Sequence, residues 1–325
     1  MHQSILKELE EIRNGRKKSL SEEGALAVLT AGSEDIPDIF AAASAIRQCR
    51  FGNRISLCSI LNAKNGDCGE DCAFCAQSVR HETETSSFAL LSEPEMESAF
   101  NATGNLPIDH FGIVTSGGSL SGDDLERIAG VISRLKREHT DWCASLGCLS
   151  KEALKRLQAA GLQRFHHNLE TAESFFPEIC TTHTYATRLQ TVRAAKEIGL
   201  EVCCGGILGL SESLEQRVEF AFTLRREKVD AIPLNFLQPI KGTRLGDLPP
   251  MKPWEILKSI AMFRLVNPEA AIKVCAGRLL LRDLQSMIFQ AGATGMMIGD
   301  LLTIAGRNVN EDLQMLDDLE MGYAQ

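Results

Sequence analysis

From about residue 55 onward, short apolar runs alternate along the chain with longer amphipathic stretches. This alternation is typical of repeated βα units around a parallel sheet. The apolar runs predict eight strands, at residues 54–63, 110–116, 142–147, 164–170, 200–209, 231–237, 271–277 and 295–300. Eight strands in one continuous domain predict an α/β fold of the (β/α)8 TIM-barrel type, complete or nearly so, with its active site at the carboxyl ends of the strands.

The amphipathic stretches predict the helices between the strands. In DDLERIAGVISRLKRE, the apolar side chains of Leu125, Ile128, Ile132 and Leu135 share one helical face. The segment KEALKRLQAAG predicts a second such helix, with Ser150 as its amino-terminal cap and Gly161 as its end.

The first 50 residues predict a helical extension, and residues 51–325 the catalytic barrel domain. Residues 2–14 have apolar positions at helical spacing, and a second helix is expected to begin with Ser19 and Glu22 as a capping box.

The composition narrows the choice of partners. The net charge is -9, and the lysines and arginines are scattered, which argues against a nucleic acid or an anionic membrane surface and favours a small molecule. The amino terminus is charged throughout, unlike a signal peptide, and no segment approaches the roughly 18 apolar residues of a membrane span. We therefore expect a cytoplasmic protein, in which the 11 cysteines serve metal binding or catalysis and not disulfides.

Three of these cysteines, Cys68, Cys72 and Cys75, form a C-x3-C-x2-C array just after the first predicted strand. A structural zinc site normally needs four protein ligands, whereas three thiolates suit an iron-sulfur cluster with one open iron. Zinc and three unconnected buried thiols remain the alternatives. The spacing resembles that of radical S-adenosylmethionine enzymes, which implies a 4Fe-4S cluster whose open iron binds S-adenosylmethionine. Phe74 would then lie near the adenine, or would simply shield the cluster.

Longer motifs resemble the biotin synthase family between about residues 55 and 305. They are NAKNGDCGEDCAFCAQS, FHHNLET, TTHTYATRLQTV, VCCGGILGL, AIPLNFL and AGRLLLRDLQSMIFQAGATGMMIGDLLT. The resemblance implies sulfur insertion into dethiobiotin, with two adenosyl radicals per product and sulfur from an auxiliary iron-sulfur cluster. It also implies an electron donor such as flavodoxin or ferredoxin, and a homodimer.

The resemblance implies only part of the usual ligand set for the auxiliary cluster. Cys143 and Cys203 match family ligands, but Gly112 stands where the family has a third cysteine and Lys273 where it has an arginine. Cys275 follows Lys273 by two residues and so faces the same side of a strand. We expect Cys143, Cys203 and Cys275 to hold a 4Fe-type cluster with a non-protein ligand, similar to a variant class of biotin synthases from anaerobes.

The other cysteines receive different interpretations. Cys204 should face away from Cys203 and pack against a helix, and Cys148 should lie in a loop near the barrel mouth. Either one remains an alternative to a proposed ligand. Cys49, Cys58 and Cys180 are expected to be structural.

The family match also implies cofactor and substrate contacts. His166, Asn168 and Glu170 alternate onto one strand face. Asn168 and Glu170 match residues that contact the cofactor ribose and the dethiobiotin ring, with Glu in place of the usual Asp, and His166 replaces an asparagine.

Four further positions follow from the match. Asn235 matches the residue that hydrogen-bonds the ureido group, and Arg188 matches the one that binds the cofactor carboxylate. Gly205 and Gly206 either allow close approach to the cofactor or form a strand bend.

Two other functions remain possible from the sequence. Radical enzymes that mature hydrogenase or make methylornithine share the barrel and the first cluster, and a non-catalytic iron-sulfur sensor is conceivable. Inward-facing Cys143 and Cys203 favour sulfur insertion over these alternatives.

Overall fold

Three helices precede the barrel, in a computed structural model that describes residues 3–302 and 306–324. They are α1 (Gln3–Arg13), α2 (Glu22–Thr30) and α3 (Ile36–Phe51), with a 3-10 turn at Ser33–Asp35 before the third.

The start of α2 differs from the prediction. Ser21, directly before the first helical residue, accepts a hydrogen bond at its side chain from the backbone N–H of Gly24 at 3.1 Å. Ser19 is buried two residues earlier and does not cap the helix. The expected cap at Ser19 was wrong because a capping side chain must lie next to the helix to reach its third backbone N–H.

The strands form a closed parallel barrel. Their order is β5-β4-β3-β2-β1-β9-β8-β7-β6, and β5 also pairs with β7. Both β5 and β6 pair with β7 and together occupy one position in the barrel. The nine strands therefore fill eight positions, as predicted. The strands are β1 (Ser56–Lys64), β2 (His110–Thr115), β3 (Asp141–Ser145), β4 (Arg164–His166), β5 (Glu201–Cys203), β6 (Gly206–Leu208), β7 (Ala231–Phe236), β8 (Ala271–Val274) and β9 (Gly295–Met297).

The fifth predicted strand is broken at a pair of glycines. A Cβ atom on Gly205 would lie 2.0 Å from the carbonyl oxygen of Pro233, and one on Gly206 would lie 2.1 Å from that of Glu170. Neighbouring backbone therefore occupies the space that a side chain would need. This close approach favours the strand-bend interpretation of both glycines.

Helices cover the outside of the barrel. Among the described residues, no helix is both long and apolar enough to cross a membrane. The outer helices are α4 (Glu93–Ala102), α5 (Gly122–Arg134), α6 (Lys151–Ala160), α7 (Phe176–Ile179), α8 (Tyr185–Glu197), α9 (Leu214–Arg226), α10 (Pro253–Val266), α11 (Met287–Gln290) and α12 (Val309–Asp318), with a 3-10 segment at Arg278–Leu284.

The predicted helix α6 is confirmed at both ends. Its cap Ser150 accepts a hydrogen bond from the backbone of Ala153 at 3.2 Å, and Gly161 ends it in the left-handed conformation. In α5, Leu125, Ile128 and Ile132 are buried against the barrel as predicted, and each such side chain contributes about 1.5–3 kcal/mol on burial.

Strand β1 is buried on both faces. Leu57 is fully buried in the core between sheet and helices, whereas Cys58 and Ile60 line the cavity inside the barrel. Both faces of this strand carry apolar and polar side chains, so its sequence does not show which face is inward.

Candidate active site

A cavity of about 870 Å³ runs from the barrel mouth into its interior. The three-cysteine loop lines it at the mouth, and inward side chains of the strands line it below. All the predicted site residues except Gly205 and Gly206 lie along this cavity: Cys68, Cys72, Phe74, Cys75, Cys143, His166, Asn168, Glu170, Arg188, Cys203, Asn235 and Cys275.

The cysteine loop is folded by its own backbone. The N–H of Cys68 donates to the carbonyl of Gln77 at 3.1 Å, and the N–H of Val79 donates back to the carbonyl of Cys68 at 2.9 Å. Within a turn, the backbone N–H of Cys75 donates to the carbonyl of Cys72 at 2.9 Å. Burial raises the pKa of the Cys75 thiol to about 11. These contacts hold three thiols toward one space without a bound ion.

Cys180, expected to be structural, lies against this loop. Its Sγ is 3.9 Å from Sγ of Cys72 and 3.3 Å from Nδ1 of His183. Hydrogen bonds from Cys72, then from His183 and Thr182, outweigh burial and lower the pKa of Cys180 to about 4. The hydrogen bond to Cys180, together with burial, raises the pKa of Cys72. The sequence did not reveal this contact, which forms because the segment after α7 folds over the cysteine loop.

His183 joins the loop to the arginine on α8. Its Nδ1 lies 2.7 Å from Oε2 of Glu70, and its Nε2 lies 3.1 Å from a guanidinium nitrogen of Arg188. Since the guanidinium can only donate, Nε2 accepts and Nδ1 carries the proton. This histidine was not singled out from the sequence. Its place within the family-like motif TTHTYATRLQTV was the available signal.

Arg188 is held by two further groups. Its Nε donates to the backbone carbonyl of Asn168 at 2.6 Å, and a terminal nitrogen pairs with Oε1 of Glu170 at 2.9 Å. The side chains of Arg188 and Glu170 are only 14% and 13% exposed, so the pair is mostly shielded from water. The amide of Asn168 contacts Oε2 of Glu170 at 3.3 Å. The predicted cofactor group is thus assembled in one network.

Asn235 spans the gap between two strands. Its Nδ2 donates to the carbonyl of Gly206 at 3.0 Å, and its Oδ1 accepts from the N–H of Ala276 at 3.1 Å. His166 lines the same part of the cavity, where burial lowers the pKa of its imidazole to about 4. Both side chains are therefore neutral, polar and fixed in place at neutral pH.

Deeper in the barrel, four thiols face the cavity. Cys143, Cys203 and Cys275 are there as predicted, and burial raises the pKa of each. The fourth is Cys58, whose Sγ lies 2.9 Å from Nζ of Lys273. Cys58 was expected to be structural, and its inward position was not foreseen because both faces of β1 carry apolar and polar side chains.

Cys58 lies one strand away from the position where the family has its third cysteine. That position, Gly112 on β2, pairs with Cys143 on one side and with Ile60 of β1 on the other. Cys58 is two residues before Ile60 and therefore on the same inward face. A cysteine on β1 thus stands beside the glycine on β2.

Two cations accompany the four thiols. Lys273 is 2% exposed and contacts Oγ of Ser56 at 3.2 Å and Nδ1 of His110 at 3.4 Å in addition to Cys58. Burial opposes the charge of Arg164, but the neighbouring cysteines, Cys203 first, and Glu201, its ion-pair partner at 2.7 Å, outweigh burial and raise the pKa of the guanidinium. Burial and the charges of Lys273 and Arg164 lower the pKa of His110, so it is neutral. This part of the cavity favours anionic ligands.

The remaining cysteines differ in position. Cys204 is fully buried in the outer core, facing away from Cys203 as expected. Cys148 lines the cavity near the mouth, with its Sγ 3.7 Å from Nε2 of His167. Cys49 is exposed on α3, outside the cavity.

Comparisons with known proteins agree with this geometry. Residues 65–224 match the model of the radical SAM superfamily, and residues 233–322 match that of the biotin and thiamin synthesis associated domain. The biotin synthase of Maridesulfovibrio salexigens is 49% identical over 302 residues, which cover 93% of this chain and 92% of that protein. The chain belongs to the biotin synthase family. A second family member, from Citrifermentans bemidjiense, is 47% identical over 93% of this chain and 92% of its own length.

Two solved structures of other proteins have a similar fold. Methylornithine synthase matches 98% of this chain and 97% of its own with a TM-score of 0.83, at 18% identity. The FeFe-hydrogenase maturase from Carboxydothermus hydrogenoformans matches 98% of this chain and 78% of its own with a TM-score of 0.80, at 17% identity. At these identities the likeness establishes the closed barrel and nothing about the substrate. The predicted family and fold are confirmed.

Proposed function

We propose that the chain inserts sulfur into dethiobiotin to form biotin, by radical chemistry that begins at the three-cysteine loop. The observation that carries the proposal is one cavity lined at its mouth by Cys68, Cys72 and Cys75 and in its interior by a second set of thiols. When bound, a 4Fe-4S cluster with S-adenosylmethionine supplies the radical chemistry needed at a saturated carbon, and an auxiliary iron-sulfur cluster supplies the sulfur.

The residues around the loop fit S-adenosylmethionine. Arg188 is already oriented by Asn168, Glu170 and His183, so its guanidinium can bind the cofactor carboxylate with little loss of side-chain entropy. The carboxylate of Glu170 and the amide of Asn168 accept and donate toward the ribose hydroxyls. Phe74, which lines the mouth, offers an apolar face to the adenine.

The middle of the cavity fits a neutral cyclic urea. Asn235 uses one N–H and one lone pair on the backbone and keeps one of each for the ureido group of dethiobiotin. The neutral imidazole of His166 can donate or accept beside it. Because both side chains are fixed by burial or hydrogen bonds, they orient the substrate between the two thiol sets.

For the auxiliary cluster, the proposal adds a ligand to those expected from sequence. Cys143, Cys203 and Cys275 are joined by Cys58, and the four buried thiols suit a 4Fe-type cluster. Lys273 and Arg164 would offset the negative charge of the thiolates. This donor chemistry fits the cluster that the family uses, although Gly112 and the lysine alter the usual ligands.

Partners and location follow from the family alone. We propose an electron donor such as flavodoxin or ferredoxin, a homodimer and a cytoplasmic location. We propose no role for nucleic acid or membrane.

The function is tested by anaerobic purification and reconstitution with iron and sulfide, followed by reductant, S-adenosylmethionine and dethiobiotin. The expected products are 5′-deoxyadenosine and biotin. Deoxyadenosine formed at the same rate with and without dethiobiotin, and with no biotin, would instead indicate another radical enzyme.

The ligand set is tested by iron counting and by electron paramagnetic resonance. Cys58→Ser and Cys275→Ser should each remove or convert the second cluster and leave the first one intact. Cys49→Ser is the matched control, because Cys49 is exposed on α3. A Cys58→Ser protein with unchanged iron content and spectrum would remove Cys58 from the ligand set.

A further inference from the structure

A group of three potential metal ligands lies where the cysteine loop meets the segment after α7. The ligand atoms of Cys72, Cys180 and His183 all lie within 4.8 Å of one another. Cys72 is assigned to the loop cluster and His183 contacts Arg188, but Cys180 has no role in the function proposed above. The group therefore combines two side chains that already have roles with one thiol that is otherwise unexplained.

The distances suit one tetrahedral ion. Bonds of about 2.3 Å to sulfur and about 2.1 Å to nitrogen place two sulfurs about 3.8 Å apart and sulfur and nitrogen about 3.6 Å apart. In the structure the two sulfurs are 3.9 Å apart, and Sγ of Cys180 lies 3.3 and 3.8 Å from the two ring nitrogens of His183. Nε2 of His183 would bind the ion in place of its contact with Arg188, while Nδ1 keeps its proton toward Glu70.

Hydrogen bonds join the two segments that carry these ligands. The N–H of Ala73 donates to the carbonyl of Ile179 at 2.8 Å, next to Cys72 and Cys180. On the other side, Oδ1 of Asp71 accepts from the N–H of Thr181 at 2.9 Å. Hydrogen bonds on both sides of the thiols therefore set the ligand geometry.

A single ion and a cubane cluster require different distances between their cysteine sulfurs. Cluster cysteines bind different irons, which lie at separate corners, so their sulfurs lie farther apart than two sulfurs that share one ion. Cys180, this close to Cys72, is therefore placed to share an ion with it and not to complete the cluster. Two thiolates and a neutral imidazole around a divalent ion also leave no net charge.

We propose that the cluster-free chain binds one thiophilic divalent ion through Cys72, Cys180 and His183. Thiolate and imidazole ligands favour Zn²⁺ or Fe²⁺ over Mg²⁺ or Ca²⁺. Because Cys72 serves both sites, the ion and the loop cluster exclude each other. Fe²⁺ held here would be a first iron for cluster assembly, whereas Zn²⁺ would block it. The proposal depends on the proposed function only for the later role of Cys72.

The test uses Co²⁺ as a spectroscopic probe on the full-length, chelator-treated chain under anaerobic conditions. Thiolate-to-metal charge transfer and tetrahedral ligand-field bands report the site when Cys143, Cys203 and Cys275 are replaced by serine in every protein compared, so that the deeper thiols do not bind Co²⁺. Cys180→Ala and His183→Gln should each weaken this binding, for Cys180→Ala by roughly a hundredfold or more, since loss of an outer-shell partner alone costs 10–100-fold.

Cys68→Ala and Cys75→Ala are the decisive controls. Both should prevent assembly of the loop cluster yet retain the Co²⁺ bands, because neither thiol belongs to the three-ligand group. Bands that survive in Cys180→Ala but vanish in Cys68→Ala and Cys75→Ala would overturn the proposal, since the loop alone would then bind the metal. That result would leave the proposed enzymatic function standing.

Adding Zn²⁺ during reconstitution with iron and sulfide distinguishes the effects of Zn²⁺ and Fe²⁺ on cluster assembly. One equivalent of Zn²⁺ should slow formation of the loop cluster in the wild-type chain and have much less effect in Cys180→Ala. If the site supplies the first Fe²⁺, Cys180→Ala should also assemble the cluster more slowly at limiting iron without added zinc. Equal zinc inhibition of both proteins would contradict the exclusion argument.

Discussion

Lys273 is a buried charge without a nearby carboxylate, and its replacement should change stability and metal binding in opposite directions. The side chain is 2% exposed and contacts Ser56, Cys58 and His110. Within the described residues, no carboxylate forms an ion pair with Lys273. Lys273→Met keeps the length and volume of the side chain and removes its charge.

The metal-free protein should become more stable. Replacing buried ionic groups with apolar ones of similar volume is often stabilising by about 1–4 kcal/mol. For 325 residues, at roughly 2.1 cal/mol/K per residue, each kcal/mol corresponds to about 1.5 °C in Tm. We therefore expect Tm to rise by up to about 6 °C, measured by circular dichroism on the anaerobic, metal-free protein.

The same change should weaken the auxiliary cluster. Burial raises the pKa of Cys143 and Cys275, and the charge of Lys273 partly offsets that rise. Metal ligands must lose their protons, so each further unit in a thiol pKa costs about 1.4 kcal/mol, or tenfold in affinity. We expect less iron in the second cluster near neutral pH, and recovery as the pH rises and the thiols deprotonate.

Two controls separate charge from packing. Lys273→Arg keeps the charge and should retain the cluster, and Lys155→Met removes an exposed lysine from α6 and should change neither quantity. A fall in Tm of several degrees for Lys273→Met would refute the view that the buried charge destabilises the metal-free chain. Unchanged iron content across the pH range would refute its role in supporting thiolates.

Three further changes test other contacts. Asp312→Ala leaves Arg278, which is paired with it and buried, without its carboxylate; we expect a loss of about 3–5 kcal/mol, or about 4–7 °C in Tm, by thermal unfolding. Gly206→Ala places a methyl group against the carbonyl of Glu170, so we expect less folded protein and a lower Tm, by about 1–3 kcal/mol or more. Arg188→Gln should raise the Kd for S-adenosylmethionine by roughly 30-fold or more in equilibrium binding, and should also lower Tm because Glu170 loses its shielded partner; an unchanged Kd would exclude a carboxylate contact.

The barrel was predictable because its signals are local. The βα alternation, the cap at Ser150 and the stop at Gly161 each depend on a few neighbouring residues, and the structure has them where expected. The errors are also local in origin. Two serines compete for the start of α2, and a pair of glycines breaks the fifth strand, where a continuous apolar run predicted a single one.

Site residues could be predicted together where they lie close to one another in the sequence. Cys68, Cys72 and Cys75 lie within eight residues, so their spacing alone indicated a shared site. Cys180 was missed because a hundred residues separate it from the loop that it contacts, and no spacing rule spans that distance. His183, which joins the loop to α8, was missed for the same reason.

By itself, the sequence determined the barrel class, the family and the loop that holds three thiols, because periodicity, capping and short motifs act between near neighbours. Only the tertiary structure decided which side chains meet inside the barrel. Both faces of strand β1 carry apolar and polar side chains, so its alternation could not show whether Cys58 or Leu57 points inward until pairing with β2 and β9 set its register. Closure of the barrel then brought Cys58 and Lys273 together, and the fold of the segment after α7 placed Cys180 beside Cys72.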